Sequence, residues 1–134
     1  MVIQGIGTDI IEIRRIERLI KKWGDKFLNR VFCDGEVSYA KSRKAFFCSS
    51  LAARYAAKEA VLKALGTGLS KGSWLDIEIT SLNGCPRVIL KGKTKALADL
   101  RQVKCFHLSL SHCGDYAVAF AVAEGRVDNE TGDS

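Results

Sequence analysis

No stretch of this chain is long and apolar enough to cross a bilayer, and none reads as the apolar core of a secretory leader. A soluble, cytoplasmic protein is the expectation. Five cysteines include no CxxC pair, and an odd count suits reduced thiols better than a disulfide framework. Aromatic residues make up only 8% and few interleave the basic ones, which argues against a stacking platform for single-stranded nucleic acid. Internal repeats and long linkers are also missing. Cys105, His107, His112 and Cys113 sit close in sequence, but their spacings match no common zinc motif. Strand alternation moreover splits His107 from His112, so no zinc site is read there.

What is present bounds the rest. At 134 residues and 47% hydrophobic content the chain can build one domain with a real core. A formal charge of +6 suits an acidic partner, whether protein, nucleotide or nucleic acid. The pattern of elements is α+β. Strands are expected at 2–13, 75–82 and 87–91, with a turn at 83–86 between the last two. Helices are expected at 14–23, 35–43, 49–65 and 94–102, with a short helical piece at 27–32. A closing β-hairpin begins near Phe106 and turns at Cys113-Gly114. The glycine-rich segment 66–73 is the interior stretch expected to move most, and 129–134 should fray.

Two segments carry carboxylates where an apolar or small residue would be the plain expectation. In GIGTDI, strand alternation puts Ile3, Gly5, Gly7, Asp9, Ile11 and Ile13 on one face, the inward one. A buried carboxylate there needs a cation, strong donors or a cleft, unless it caps an element or forms an internal ion pair. The glycines let another chain or a ligand approach closely. In RYAAKEAVLKALGTG, Ala53, Ala57, Ala60, Val61 and Ala64 form an apolar stripe. Glu59 and Lys63 flank it on one side, Arg54 and Lys58 on the other. Glu59–Lys63 also has the spacing of an ordinary i,i+4 surface pair, worth only a few tenths of a kcal/mol. Gly66 suits a left-handed helix cap, and the segment is not a Walker loop because its lysine precedes the glycines. A third segment, FHLSLSH followed by CGDYAVAFAVA, reads as the hairpin. His107, Ser109 and Ser111 share one face; His112 stands at the turn end, able to shuttle a proton, donate to a phosphate or cap.

In this order and spacing the three segments closely resemble the holo-acyl-carrier-protein synthase family of 4′-phosphopantetheinyl transferases, from Met1 to about Glu124. The resemblance implies a single-domain fold in which an antiparallel-rich sheet packs on a long central helix. The transferase domain would then occupy 1–126, with 127–134 a polar tail. It implies transfer of the phosphopantetheine arm of coenzyme A to a serine of apo acyl carrier protein, releasing adenosine 3′,5′-bisphosphate, in support of fatty acid biosynthesis. Asp9 and Glu59 match the magnesium ligands, a donor set that suits Mg²⁺. Lys63 matches the lysine beside the pyrophosphate. Arg54, Gly66, Ser111 and His112 fall at positions of the coenzyme A site, Arg54 being equally readable as a surface ion pair. A water on the metal, a carboxylate or His112 is the candidate base. Cys113 departs from the hydroxyl residue often found after that histidine, which removes a side-chain donor there.

The segment IRRIERLIKKW adds an amphipathic helix. Ile13, Ile16, Leu19, Ile20 and Trp23 form its apolar stripe, and Arg14, Arg15, Arg18, Lys21 and Lys22 crowd the remainder. The family grips its acidic carrier protein with this helix, so Arg15, Arg18, Leu19 and Lys22 are the contact candidates, against a plain solvated face. The resemblance also implies a homotrimer with active sites between subunits. Two other readings remain: a nucleic-acid-binding domain, favoured by charge alone, and an inactive family member serving as a partner. The presence of Asp9, Glu59 and Lys63 argues against the second.

Overall fold

The computed structural model describes residues 1–67 and 74–126. The expectations for most of 66–73 and for the tail therefore lie outside the described residues. The chain runs β1 (Val2–Glu12), α1 (Ile13–Trp23), α2 (Asp25–Val31), α3 (Asp34–Ser42), a 3₁₀ turn (Lys44–Phe46) and the long helix α4 (Phe47–Ala64). Then follow β2 (Ile77–Leu82), β3 (Cys85–Leu90), α5 (Gly92–Leu100), β4 (Val103–Cys113) and β5 (Tyr116–Gly125). A three-stranded antiparallel sheet has the order β1-β5-β4, and β2-β3 form a separate hairpin. This is the expected α+β architecture, an antiparallel sheet packed on a central helix.

The inner face of the sheet is built for close approach. Ala117, Ala119, Ala121 and Ala123 of β5 are all buried, and α4 packs over them and over β1. Gly5 and Gly7 complete this contact. A Cβ at Gly5 would strike the Ala64 carbonyl, and one at Gly7 the Ala60 carbonyl. The glycines of GIGTDI therefore admit helix α4 itself, not a ligand. Against this sheet α4 is buried along almost its whole length; Glu59 and Lys63 are the polar interruptions that reach the surface.

Several boundaries differ from expectation for identifiable reasons. Ile3 is 57% exposed rather than inward, because the β1–β5 register shifts between Ile3 and Gly5. The closing turn is Gly114-Asp115, with Gly114 at φ +59° and Cys113 paired to Tyr116 inside the ladder. Glycine at the first loop position takes the positive φ that Cys113 would resist. Strand β3 starts at Cys85 and includes Pro86, which a hairpin edge tolerates. Asn83 and Gly84 both have positive φ, as a tight two-residue turn requires. Helix α5 begins two residues early because Asp76, from another element, accepts from the Thr94 N–H at 3.3 Å and its hydroxyl at 3.2 Å.

Lys58 and Glu36 are both fully buried, their charged atoms 2.7 Å apart. Lys58 also donates to the Val31 carbonyl at 2.7 Å and the Trp74 carbonyl at 3.0 Å, using all three of its protons. Glu36 accepts from the N–H groups of Cys33 and Ile79, each at 2.8 Å. One ion pair thus ties α2, α3 and β2 to the centre of α4.

Candidate active site

Where β1 crosses α4, three predicted residues converge. Asp9 points inward from β1, and Lys63 reaches across from α4 to place its Nζ 3.3 Å from Asp9 Oδ1. The same ammonium donates to the Thr8 carbonyl at 2.9 Å. The lysine thus bridges helix to strand. Glu59 stands one turn before Lys63 on the same flank, half-buried. Its carboxyl is held above the ordinary value, first by burial and then by the Asp9 charge; Lys63 and Arg15 oppose the shift. Two carboxylates are therefore held together with their repulsion only partly relieved. Two hard oxygen donors with partial solvent access fit a divalent cation such as Mg²⁺, which keeps several waters.

Arg15 belongs to this group more closely than its sequence position suggests. Its guanidinium lies 5.7 Å from the Tyr55 ring centre and acts on Glu59, so the basic face of α1 runs directly into the carboxylate pair. Arg18 turns to Glu12 at 3.6 Å. Lys22 stacks on Trp23 at 5.2 Å, and Trp23 is half-exposed rather than core. Beside it Leu19, Trp23, Lys26, Phe27 and Arg30 line a shallow apolar cleft of about 330 Å³ with a basic rim. Lys26 and Arg30 were missed in the sequence because they belong to α2, whose face is defined only once it folds against α1.

The remaining candidates gather elsewhere. Arg54 is only 6% exposed, so the surface-ion-pair alternative is wrong. It lies 4.2 Å from the Tyr39 ring centre and donates to the Ser50 hydroxyl at 3.2 Å, while its buried Nε has no partner. Burial pushes its guanidinium below the usual value. With Ser111 and His112 it lines a cleft of about 290 Å³ that also includes Tyr39, Arg43 and Phe46. His112 lies against Phe46, the ring centres 6.1 Å apart and the planes tilted by 42°. Arg54 and Lys63 are half a turn apart around α4, at about 100° per residue. The helix stands between the carboxylate pair and this cleft. Gly66, at φ +78°, ends α4 and belongs to neither group; its amide donates to Lys63 O at 2.9 Å.

Comparison with known proteins gives a consistent picture. Residues 5–121 match the model of the 4′-phosphopantetheinyl transferase superfamily. The holo-[acyl-carrier-protein] synthase of Chlamydia muridarum is 50% identical over 121 residues, covering 90% of this chain and 94% of that protein. Among solved structures, the holo-[acyl-carrier-protein] synthase of Neisseria meningitidis superposes with a TM-score of 0.83 at 36% identity, over 92% of this chain and 99% of that one. The Helicobacter pylori enzyme in complex with coenzyme A gives 0.78 at 35% identity, over 89% and 99%.

Proposed function

Because this chain belongs to the 4′-phosphopantetheinyl transferase superfamily, we propose that it is a holo-[acyl-carrier-protein] synthase. It transfers 4′-phosphopantetheine from coenzyme A to a serine of apo acyl carrier protein and leaves adenosine 3′,5′-bisphosphate. Residues 1–126 form the transferase domain, and the reaction serves fatty acid biosynthesis in the cytoplasm. The observation that carries this reading is the meeting of Asp9, Glu59 and Lys63 where GIGTDI lies on α4.

Asp9 and Glu59 would hold Mg²⁺, and the chemistry that ion would supply is neutralisation of negative charge on the pyrophosphate. Lys63, already aimed at Asp9, supplies a compact positive charge to the same phosphates. Arg15 lies between this centre and Arg18, Leu19 and Lys22, so a carrier protein seated on α1 and in the cleft beside Trp23 brings its serine to the carboxylate pair. Arg54, Ser111 and His112 hold the nucleotide end of coenzyme A. Since α4 separates them from Asp9 within one chain, a second copy supplies them, in a homotrimer. A broad apolar outer sheet face supports this assembly: Ile6, Ile10, Tyr116, Val118 and Phe120 are all substantially exposed, Ile10 to 64%. Among the described residues no helix is long and apolar enough to cross a membrane.

Intact-mass spectrometry of apo acyl carrier protein with coenzyme A and Mg²⁺ tests the reaction. A phosphopantetheine mass increase is expected with the parent chain, and none with EDTA, Asp9→Ala or Glu59→Ala. Transfer that survives both substitutions would overturn the metal assignment. Absence of transfer by the folded parent across several carrier proteins would overturn the activity.

A further inference from the structure

The outer face of the sheet, in the rows next to Ile6 at the end of the apolar face assigned above to subunit contact, carries a second constellation apart from the Asp9 centre. Cys105 and His107 lie two residues apart on β4 and so share a face, and Cys105 pairs across the ladder with Glu124 of β5. His107 Nε2 lies 2.9 Å from Glu124 Oε1, and Cys105 Sγ lies 3.8 Å from His107 Nε2. One ligand atom from each of the three falls within 4.8 Å of the others. The strands on both sides of β5 shift register level with Glu124, between Ile3 and Gly5 on β1 and between Val103 and Cys105 on β4. Such irregularities re-aim side chains, and here they bring three donors to one point.

We propose that Cys105, His107 and Glu124 form a tridentate site for a borderline divalent cation of the Zn²⁺ class, with the fourth position left to water or another donor. Zinc bonds of about 2.3 Å to sulfur and 2.0–2.2 Å to nitrogen and oxygen span a tetrahedron with edges of roughly 3.3–3.7 Å. The present separations reach that with small side-chain rotations on a fixed backbone. Binding replaces the His107–Glu124 hydrogen bond by two bonds to the metal: the neutral imidazole carries its hydrogen on Nδ1 so that Nε2 can ligate, and the Cys105 thiol releases its proton to solvent. Thiolate, imidazole and carboxylate together select zinc or cobalt over magnesium. Asp9 and Glu59 offer only oxygen, so the chain carries two sites of opposite hardness. They are also far apart. Asp9 lies on the inner sheet face, and the β1 partner of Glu124 is Ile3, roughly 20 Å along the strand at 3.3–3.4 Å per residue.

The consequence is mechanical. Strand β4 is an edge of the sheet, and the metal would clip its entry to β5, adding stability by mass action. The sequence concealed the site because Glu124 lies on the other strand of the hairpin, and the zinc spacings sought within one segment do not include it.

Co²⁺ titration of the whole chain, with thiols reduced and Mg²⁺ in excess, tests the proposal. One equivalent per chain should produce a sulfur-to-cobalt charge-transfer band, and Zn²⁺ should displace it and raise the thermal midpoint. Cys105→Ser should abolish the band, and His107→Ala and Glu124→Gln should each weaken binding at least tenfold. Cys113→Ser, beside the other histidine, should keep the band and the affinity. A parent chain without the band would overturn the site, as would a band that persists in Cys105→Ser or affinity unchanged in His107→Ala. Circular dichroism of each variant separates loss of ligand from loss of fold.

Discussion

Glu59 shows how its surroundings set a single residue's affinity for a proton. Burial and the Asp9 charge raise its carboxyl above the ordinary value, so the native chain takes up that proton more readily than the unfolded chain does. Stability from this group is present below the ordinary carboxylate range and is lost as pH rises through the raised value. At neutral pH, without metal, the ionised carboxylate therefore works against the fold. Glu59→Gln should melt higher than the parent at pH 7 in EDTA while losing all transfer activity, and the gap should close in acid. A variant that melts lower at pH 7 would contradict this account. Asp9 stood out in the sequence because it breaks a row of isoleucines and glycines; Glu59 and Lys63 flank a stripe of alanines with the spacing of an ordinary surface pair, and the family resemblance singled them out. Arg54 was left open, since only the folded chain shows that Tyr39 and Ser50 enclose it. Glu36 left no sequence signal at all, because its partner lies on another helix.

The elements were largely readable because periodicity depends on each segment's own residues. The misplaced boundaries were set from outside the segment: Asp76 starts α5, and the strand ladder draws Cys113 into β4. Helix α4 makes the same point at its centre, where Lys58 looked like one flank of an amphipathic helix and is instead closed off by Glu36. Lys58→Met should cost about 3–5 kcal/mol in denaturant unfolding at fixed chain concentration, because Glu36 is left as an uncompensated buried charge. Adding Glu36→Leu should recover much of that loss, since no charge then remains buried. If the double variant is less stable than the single, the pair contributes more than mutual neutralisation.

On the scale of the whole molecule, the two groups of candidate site residues, Asp9 with Glu59 and Lys63 and Arg54 with Ser111 and His112, face away from each other across α4. Subunit complementation tests the assembly directly. Asp9→Ala and Arg54→Ala chains, each inactive alone, should regain about a quarter of parental activity when unfolded and refolded together, because random head-to-tail pairing leaves about that share of interfaces with both halves intact. No recovery in well-formed mixed oligomers would place the whole site within one chain. The sequence showed part of this separation, with Glu59 and Lys63 on one flank of the helix and Arg54 on the other, but not that Ser111 and His112 join Arg54. Strand and helix patterns say which face a residue occupies but not which flank of the core it ends on. The dividing wall is α4 itself, seated on Gly5 and Gly7 with no side chain between helix and strand. No motion that preserves the fold can bring the halves together in one copy. Turnover should therefore fall faster than enzyme concentration on dilution, while the far-ultraviolet spectrum of each chain stays the same. If the assembly is as proposed, freshly made chains would remain idle until enough copies had accumulated to meet.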